Sequence, residues 1–125
     1  MRFETTTQRP VEVSGVGLHS GVQVEVRITP AAAGTGIVFV RTDLERFPIP
    51  ASWKYVARVS YATSLMRQGV LISTTEHLLS VFYGMGIDNA IVEINSLEAP
   101  ILDGSGGPFV ELLEQAGRRQ LRRKR

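Results

Sequence analysis

Cysteine is absent from the 125 residues. Disulfides and thiolate metal sites are thereby excluded, and any metal would be held through nitrogen and oxygen. No run of 18 apolar residues occurs, so no segment reads as a membrane-spanning helix. Met1-Arg2-Phe3-Glu4-Thr5-Thr6-Thr7 has no apolar core of the signal-peptide kind, and the expected location is cytoplasmic. Histidine is scarce: only His19 and His77 are present, and no His-x-x-x-His pair exists. Low complexity and internal repeats are also missing ahead of the last eight residues.

What remains is an ordinary globular composition, 43% hydrophobic and 21% charged, with enough chain for one compact domain and its core. The net charge of +2 is uneven. Residues 118–125 (Arg-Arg-Gln-Leu-Arg-Arg-Lys-Arg) carry six of the fourteen basic residues and no acid, and the rest has eight basic residues against twelve acidic ones. Residues 1–117 therefore read as the domain. Residues 118–125 read as a solvated basic tail, or as the start of a further domain. Such a tail could touch nucleic acid or anionic lipid. The body shows no basic face with interleaved aromatics, and nucleic-acid binding is not expected.

Ser73 to Gly86 (Ser-Thr-Thr-Glu-His-Leu-Leu-Ser-Val-Phe-Tyr-Gly-Met-Gly) reads as a helix. Ser73 and Glu76 fit a capping box, and Gly84 and Gly86 offer a left-handed stop. At about 100° per residue, Thr75, Leu78, Leu79 and Phe82 share an arc that faces a core. His77 lies outside that arc, in line with Ser73, Ser80, Val81 and Gly84, a face of mostly small residues that something could approach closely. Two readings of the pair stay open. Glu76 is either a capping partner or a general base, and His77 is either a surface histidine or a metal ligand.

Val11–Ser14 and Val22–Thr29 alternate apolar with polar residues and read as strands joined by a glycine-rich turn that carries His19. In that turn His19 is a candidate to bond backbone. Ile37–Val40 reads as a third strand. Residues 41–60, with Pro48 and Pro50, read as irregular or as a small inserted ribbon. Thr63–Met66 and Val70–Ile72 read as a hairpin that feeds the helix. Ala90–Asn95 reads as a buried strand. Pro108 opens a second helix with Phe109, Val110, Leu112 and Leu113 on its apolar stripe, and Gly117 ends it. The order predicts an α+β fold, a mostly antiparallel sheet with two helices packed on one face.

Three segments go beyond pattern. Gly15-Val16-Gly17-Leu18-His19-Ser20-Gly21, Ile72-Ser73-Thr74-Thr75-Glu76-His77-Leu78-Leu79-Ser80, and Gly84-Met85-Gly86-Ile87-Asp88-Asn89-Ala90 through Pro100-Ile101-Leu102-Asp103-Gly104-Ser105 occur in this order. With them the chain closely resembles the N-terminal domain of the UDP-3-O-acyl-N-acetylglucosamine deacetylase family, zinc amidohydrolases of lipid A biosynthesis, over about residues 7–117. The resemblance implies two similar domains with their helices meeting and the active site between them. It implies His77 as a zinc ligand and Glu76 as the general base. Leu18 and His19 would border the site, and Tyr61, Ala62 and Thr63 would lie beside the metal.

The family draws its remaining zinc ligands, a His and an Asp, from a His-Lys-x-x-x-Asp segment of the second domain. No such segment occurs here. A catalytic zinc takes about three protein ligands. The expectation is thus an incomplete zinc site, inactive until a second domain or another chain completes it. UDP-3-O-acyl-N-acetylglucosamine is the implied substrate. The competing expectation is a non-enzymatic domain that binds a protein partner through its two-helix face, since a face shaped to meet another domain would be apolar.

Overall fold

The computed structural model describes residues 2–17, 21–52, 55–59, 62–73, 75–96, 98–100 and 107–125. The alternating segment leads the architecture. β3 (Gln23–Pro30) buries Val24, Val26 and Ile28 and exposes Glu25 and Arg27. It pairs antiparallel with β2 (Val11–Val16) on one side and with β9 (Ala90–Ile94) on the other. The register sets Val26 against Ile94 and Ile28 against Val92, so the buried sets of both strands fall on one face. β4 (Ile37–Arg41) joins β9 in parallel and β5 (Phe47–Pro50) closes the edge, giving the order β2-β3-β9-β4-β5.

Two helices, α1 (Glu76–Met85) and α2 (Gly107–Ala116), cover that face. Leu78, Val81 and Phe82 of α1 and Phe109, Leu112 and Leu113 of α2 enter one cluster with Val24, Val26, Ile28, Phe39, Val92 and Ile94. The opposite face is charged. Arg27 bridges Glu12 at 3.2 Å and Glu93 at 3.4 Å, and Arg46 also pairs with Glu93. The expected α+β class is thus observed, with a mixed but mostly antiparallel sheet and helices on one side.

Three features differ from the sequence reading. Residues 41–60 are largely structured. A single 3-10 turn at Thr42–Leu44 precedes β5, and β6 (Val56–Val59) joins β7 (Ala62–Arg67) and β8 (Val70–Ser73) in a separate three-stranded antiparallel sheet. Proline does not prevent β5, because it sits at the sheet edge. Ala51 N–H donates to Ile37 O at 2.8 Å, so odd positions face β4 and Pro48 and Pro50 turn their missing donors outward.

The second difference is β1 (Phe3–Thr7), which the sequence reading passed over. The third concerns residues 118–125. They do not form a solvated tail: Arg118–Lys124 is β10, antiparallel to β1 in a two-stranded ribbon. Acids of the body hold its charges. Arg123 pairs with Glu4 at 3.1 Å and Arg125 with Asp88 at 3.0 Å, while Arg118 donates to Met85 O at 2.8 Å. Asn89, 1% exposed, ties the ribbon inward: it donates to Glu4 Oε1 at 2.9 Å and accepts from Gly36 N–H at 2.8 Å.

Candidate active site

β8 runs almost directly into α1, so the three-stranded sheet fixes where the helix begins. Ser73 is the last residue of β8 and pairs with Ser64 of β7. The capping box expected from the sequence needs Ser73 at the N-cap, and Ser73 does not hold that position. The N-cap is Thr75, in a helical conformation at φ −91°, ψ −9° and without a side-chain cap bond. Glu76 is the first helical residue, two positions short of the N3 place from which a capping-box glutamate reaches back. The first turn of a helix is also where a negative side chain meets the positive end of the backbone dipole.

At its other end α1 stops as expected. Gly86 takes φ 69°, and Ile87 N–H donates to Phe82 O at 3.0 Å, which closes a Schellman-type cap. Thr75, Leu78, Val81 and Phe82 are buried, whereas Leu79 is only half-buried. The arc drawn from sequence is therefore rotated slightly toward Val81.

Glu76 and His77, both half-buried, open onto a depression of about 470 Å³ with Ser80, Val81, Gly84, Met85 and Val110. His77, Ser80, Val81 and Gly84 are the small-residue face that helical spacing singled out. Met85 and Val110 were missed. Val110 belongs to α2, and only the packing of α2 beside α1 brings it here. Its signal in the sequence was an apolar stripe on α2 wider than the core uses: Phe109, Leu112 and Leu113 are buried, Val110 only partly.

Glu76 Oε2 is buried without a hydrogen-bond partner. An unsatisfied buried carboxylate oxygen is costly and calls for a partner such as a water, an ion, a ligand or another chain. Ser64 Oγ, which the sequence reading did not single out, is a second unsatisfied buried atom, on the strand that pairs with β8.

The other expected site residues divide in two. Leu18, His19 and Tyr61 lie outside the described residues. Ala62 and Thr63 lie on β7, opposite Val59 and Arg58 of β6. The end of the glycine turn is placed by a bridge between Gly17 and Pro100.

One imidazole and one carboxylate make a donor set suited to zinc but short of the about three protein ligands that a catalytic zinc takes. Among the described residues no group of three or more His, Asp or Glu side chains could hold a metal. What the chain offers is one imidazole beside one carboxylate, on an open face. Ligands from elsewhere can reach it.

Comparison with known proteins bears on the chain as a whole. The family model described as LpxC, UDP-3-O-acyl N-acetylglycosamine deacetylase, matches residues 4–125. The chain is 78% identical over 125 residues to the UDP-3-O-acyl-N-acetylglucosamine deacetylase of Solibacter usitatus (strain Ellin6076), which takes in all of this chain and 42% of that protein. It is 49% identical over 115 residues to the protein of that name from Chromohalobacter salexigens, covering 91% of this chain and 38% of the relative. With the Myxococcus xanthus (strain DK1622) protein of that name it shares 49% over 118 residues, 94% of this chain and 38% of the relative. The chain thus spans about two fifths of the length of the curated relatives it matches. By the match along nearly its whole length, the chain belongs to the UDP-3-O-acyl-N-acetylglucosamine deacetylase family.

Proposed function

We infer that this chain provides the Glu76–His77 half of a zinc-dependent deacetylase site, which acts on UDP-3-O-acyl-N-acetylglucosamine in lipid A biosynthesis. The observation that carries the reading is the buried, unpartnered Oε2 of Glu76 at the rim of an open depression, one residue from His77. His77 would supply an imidazole ligand to the metal, and a second domain or chain would supply the others. A bound zinc would act as the Lewis acid for the acetamide carbonyl. Glu76 accepts the proton of the water that attacks that carbonyl and can return it to the departing nitrogen. The acetamide bond breaks to give acetate and the free amine of the glucosamine.

Gly84 and Ser80 leave the approach to His77 open, and Val81, Met85 and Val110 supply an apolar wall. The incomplete ligand set makes the chain inactive by itself. A UDP-activated substrate favours a cytoplasmic location. The alternative, a non-enzymatic domain that binds a protein partner through its two-helix face, is less favoured by the match to deacetylases along nearly the whole chain.

The test fuses the chain to the remaining part of the Solibacter relative and assays release of acetate from the UDP-sugar. Glu76→Gln keeps the size of the side chain and loses its proton-accepting capacity. Removal of a general base costs on the order of 10²–10⁴ in rate. The substitution gives up a helix-dipole interaction of about 0.3–1 kcal/mol, so the melting temperature of the fusion should fall by no more than about 4 °C. Near-normal turnover together with a clearly lowered melting temperature would leave Glu76 a structural residue and remove the basis of the reading.

A further inference from the structure

Three buried side-chain oxygens among the described residues have no hydrogen-bond partner: Thr7 Oγ1, Ser64 Oγ and Glu76 Oε2. Thr7 stands apart on β1. Ser64 and Glu76 are neighbours by topology. Ser64 is opposite Ser73 in the β7–β8 ladder, and Ser73 is three residues ahead of Glu76. Cross-strand partners lie about 5 Å apart, and three residues of chain span at most about 11 Å.

Both side chains also turn away from the core. Leu65, next to Ser64, and its cross-strand partner Ile72 enter the core cluster. Alternation therefore puts Ser64 on the other face of β7, where it is nevertheless fully buried. On α1, Leu78 is in the core and Glu76 is two residues away, about 200° round the helix. Helical side chains lean toward the N-terminus, so Glu76 leans back over the end of β8. A hydroxyl and a carboxylate oxygen, each buried and each without a partner, are thus both directed to the β8–α1 junction.

We propose that Ser64 is a positioning residue for Glu76, acting through one buried water that accepts from the Ser64 hydroxyl and donates to Glu76 Oε2. The inference rests on the proposed function, in which Glu76 is the general base. The chemistry is complementary, because an ionised carboxylate only accepts and a serine hydroxyl can donate. Two hydrogen bonds of about 2.8 Å let a single water join atoms about 5.5 Å apart, and buried waters characteristically sit on such otherwise unsatisfied groups. The two oxygens of Glu76 then divide the work. Oε2 is fixed from behind, and Oε1 is left to take the proton of the attacking water. Without the link the carboxylate turns about its last bonds, and a misplaced base loses rate.

Two measurements test the proposal. The first is a crystal structure of the 125-residue chain that shows ordered waters. One water within hydrogen-bond distance of both Ser64 Oγ and Glu76 Oε2 is expected. The second is the kinetics of Ser64→Ala, Glu76→Gln and the double variant in the fusion with the remaining part of the Solibacter relative. Ser64→Ala should lower kcat about tenfold and leave KM unchanged, since outer partners that orient a reacting group are worth about 10–100-fold. In the Glu76→Gln background the same substitution should cost less than about twofold, because Ser64 acts only through that carboxylate. Melting curves check the folding of each variant, and the crystal structure decides if a variant does not fold or the fusion does not turn over. No water shared by the two atoms, or an equal loss from Ser64→Ala with and without the Glu76 carboxylate, overturns the proposal. Turnover lost in Glu76→Gln but unchanged in Ser64→Ala overturns the positioning role alone. Full turnover in Glu76→Gln overturns the reading of Glu76 as the base, and the positioning role with it.

Discussion

Deleting residues 118–125 should destabilise the chain, although the sequence alone presents them as a dispensable charged end. β10 meets β1 at four paired positions: Phe3 with Lys124, Thr5 with Gln120, Thr6 with Arg119 and Thr7 with Arg118. Four paired positions carry about four backbone hydrogen bonds, each worth roughly 0.5–1.5 kcal/mol net. Ordering a peripheral strand offsets part of that gain. The ion pairs add little because their arginines are exposed. Against this, Thr6 and Thr7 of β1 are fully buried. Their exposure, and the loss of the only strand partner of β1 among the described residues, pushes the cost upward.

The balance is a loss of about 2 kcal/mol, or a fall in melting temperature of roughly 4–8 °C for a domain of this size. Calorimetry of the full chain and of a chain ending at Gly117 measures it. A second variant with the six basic residues of 118–125 replaced by Gln keeps the backbone ladder, and it should lose much less than the deletion does. If the deleted chain melts within 2 °C of the full one, the ribbon contributes nothing and its pairing is irrelevant to stability. If instead the Gln variant falls as far as the deletion, charge and not the ladder holds the ribbon down.

Further outcomes can be stated more briefly. The Glu4 carboxyl is held below its ordinary range by the Asn89 side-chain hydrogen bond first, then by the Gly34 N–H and by Arg123 and Arg125. A depressed folded value means stability that is present above the ordinary glutamate value and lost as pH falls through the lowered one; Glu4→Gln should therefore melt lower than the unaltered chain at pH 7 and converge with it as pH falls below the lowered value. Gly117 takes φ 72°, and a Cβ there would meet Gln8 Oε1 at 3.0 Å. Gly117→Ala should thus cost more than Gly86→Ala, where the nearest atom lies 3.8 Å away, by comparison of melting temperatures. Zinc titrated into the chain alone by calorimetry should show weak or no binding, because one matched ligand stands against about three; tight stoichiometric uptake lost in His77→Ala would reveal further ligands within these residues.

How far the sequence could be read depends on whether the ordering interaction is local. The alternation of β3 and the arc of α1 are local, and both were legible, as were the glycine stops at Gly86 and Gly117. β1 and β10 are not, because each is polar when taken alone and becomes a strand only against the other, more than 100 residues away. β5 was obscured by a sound local rule, since prolines oppose strands, and an edge position satisfies that rule without breaking it. The site divides along the same line. Glu76, His77 and the small face above them follow from helical spacing, whereas Val110 reaches the depression only through α2 packing on α1. The capping box is the instructive error. Ser73 and Glu76 have the right identities and the right spacing, but β8 claims Ser73 for its ladder with Ser64, and the helix starts three residues later. Tertiary pairing thus holds Ser73 in the sheet, and Glu76 enters α1 at its first position rather than its third.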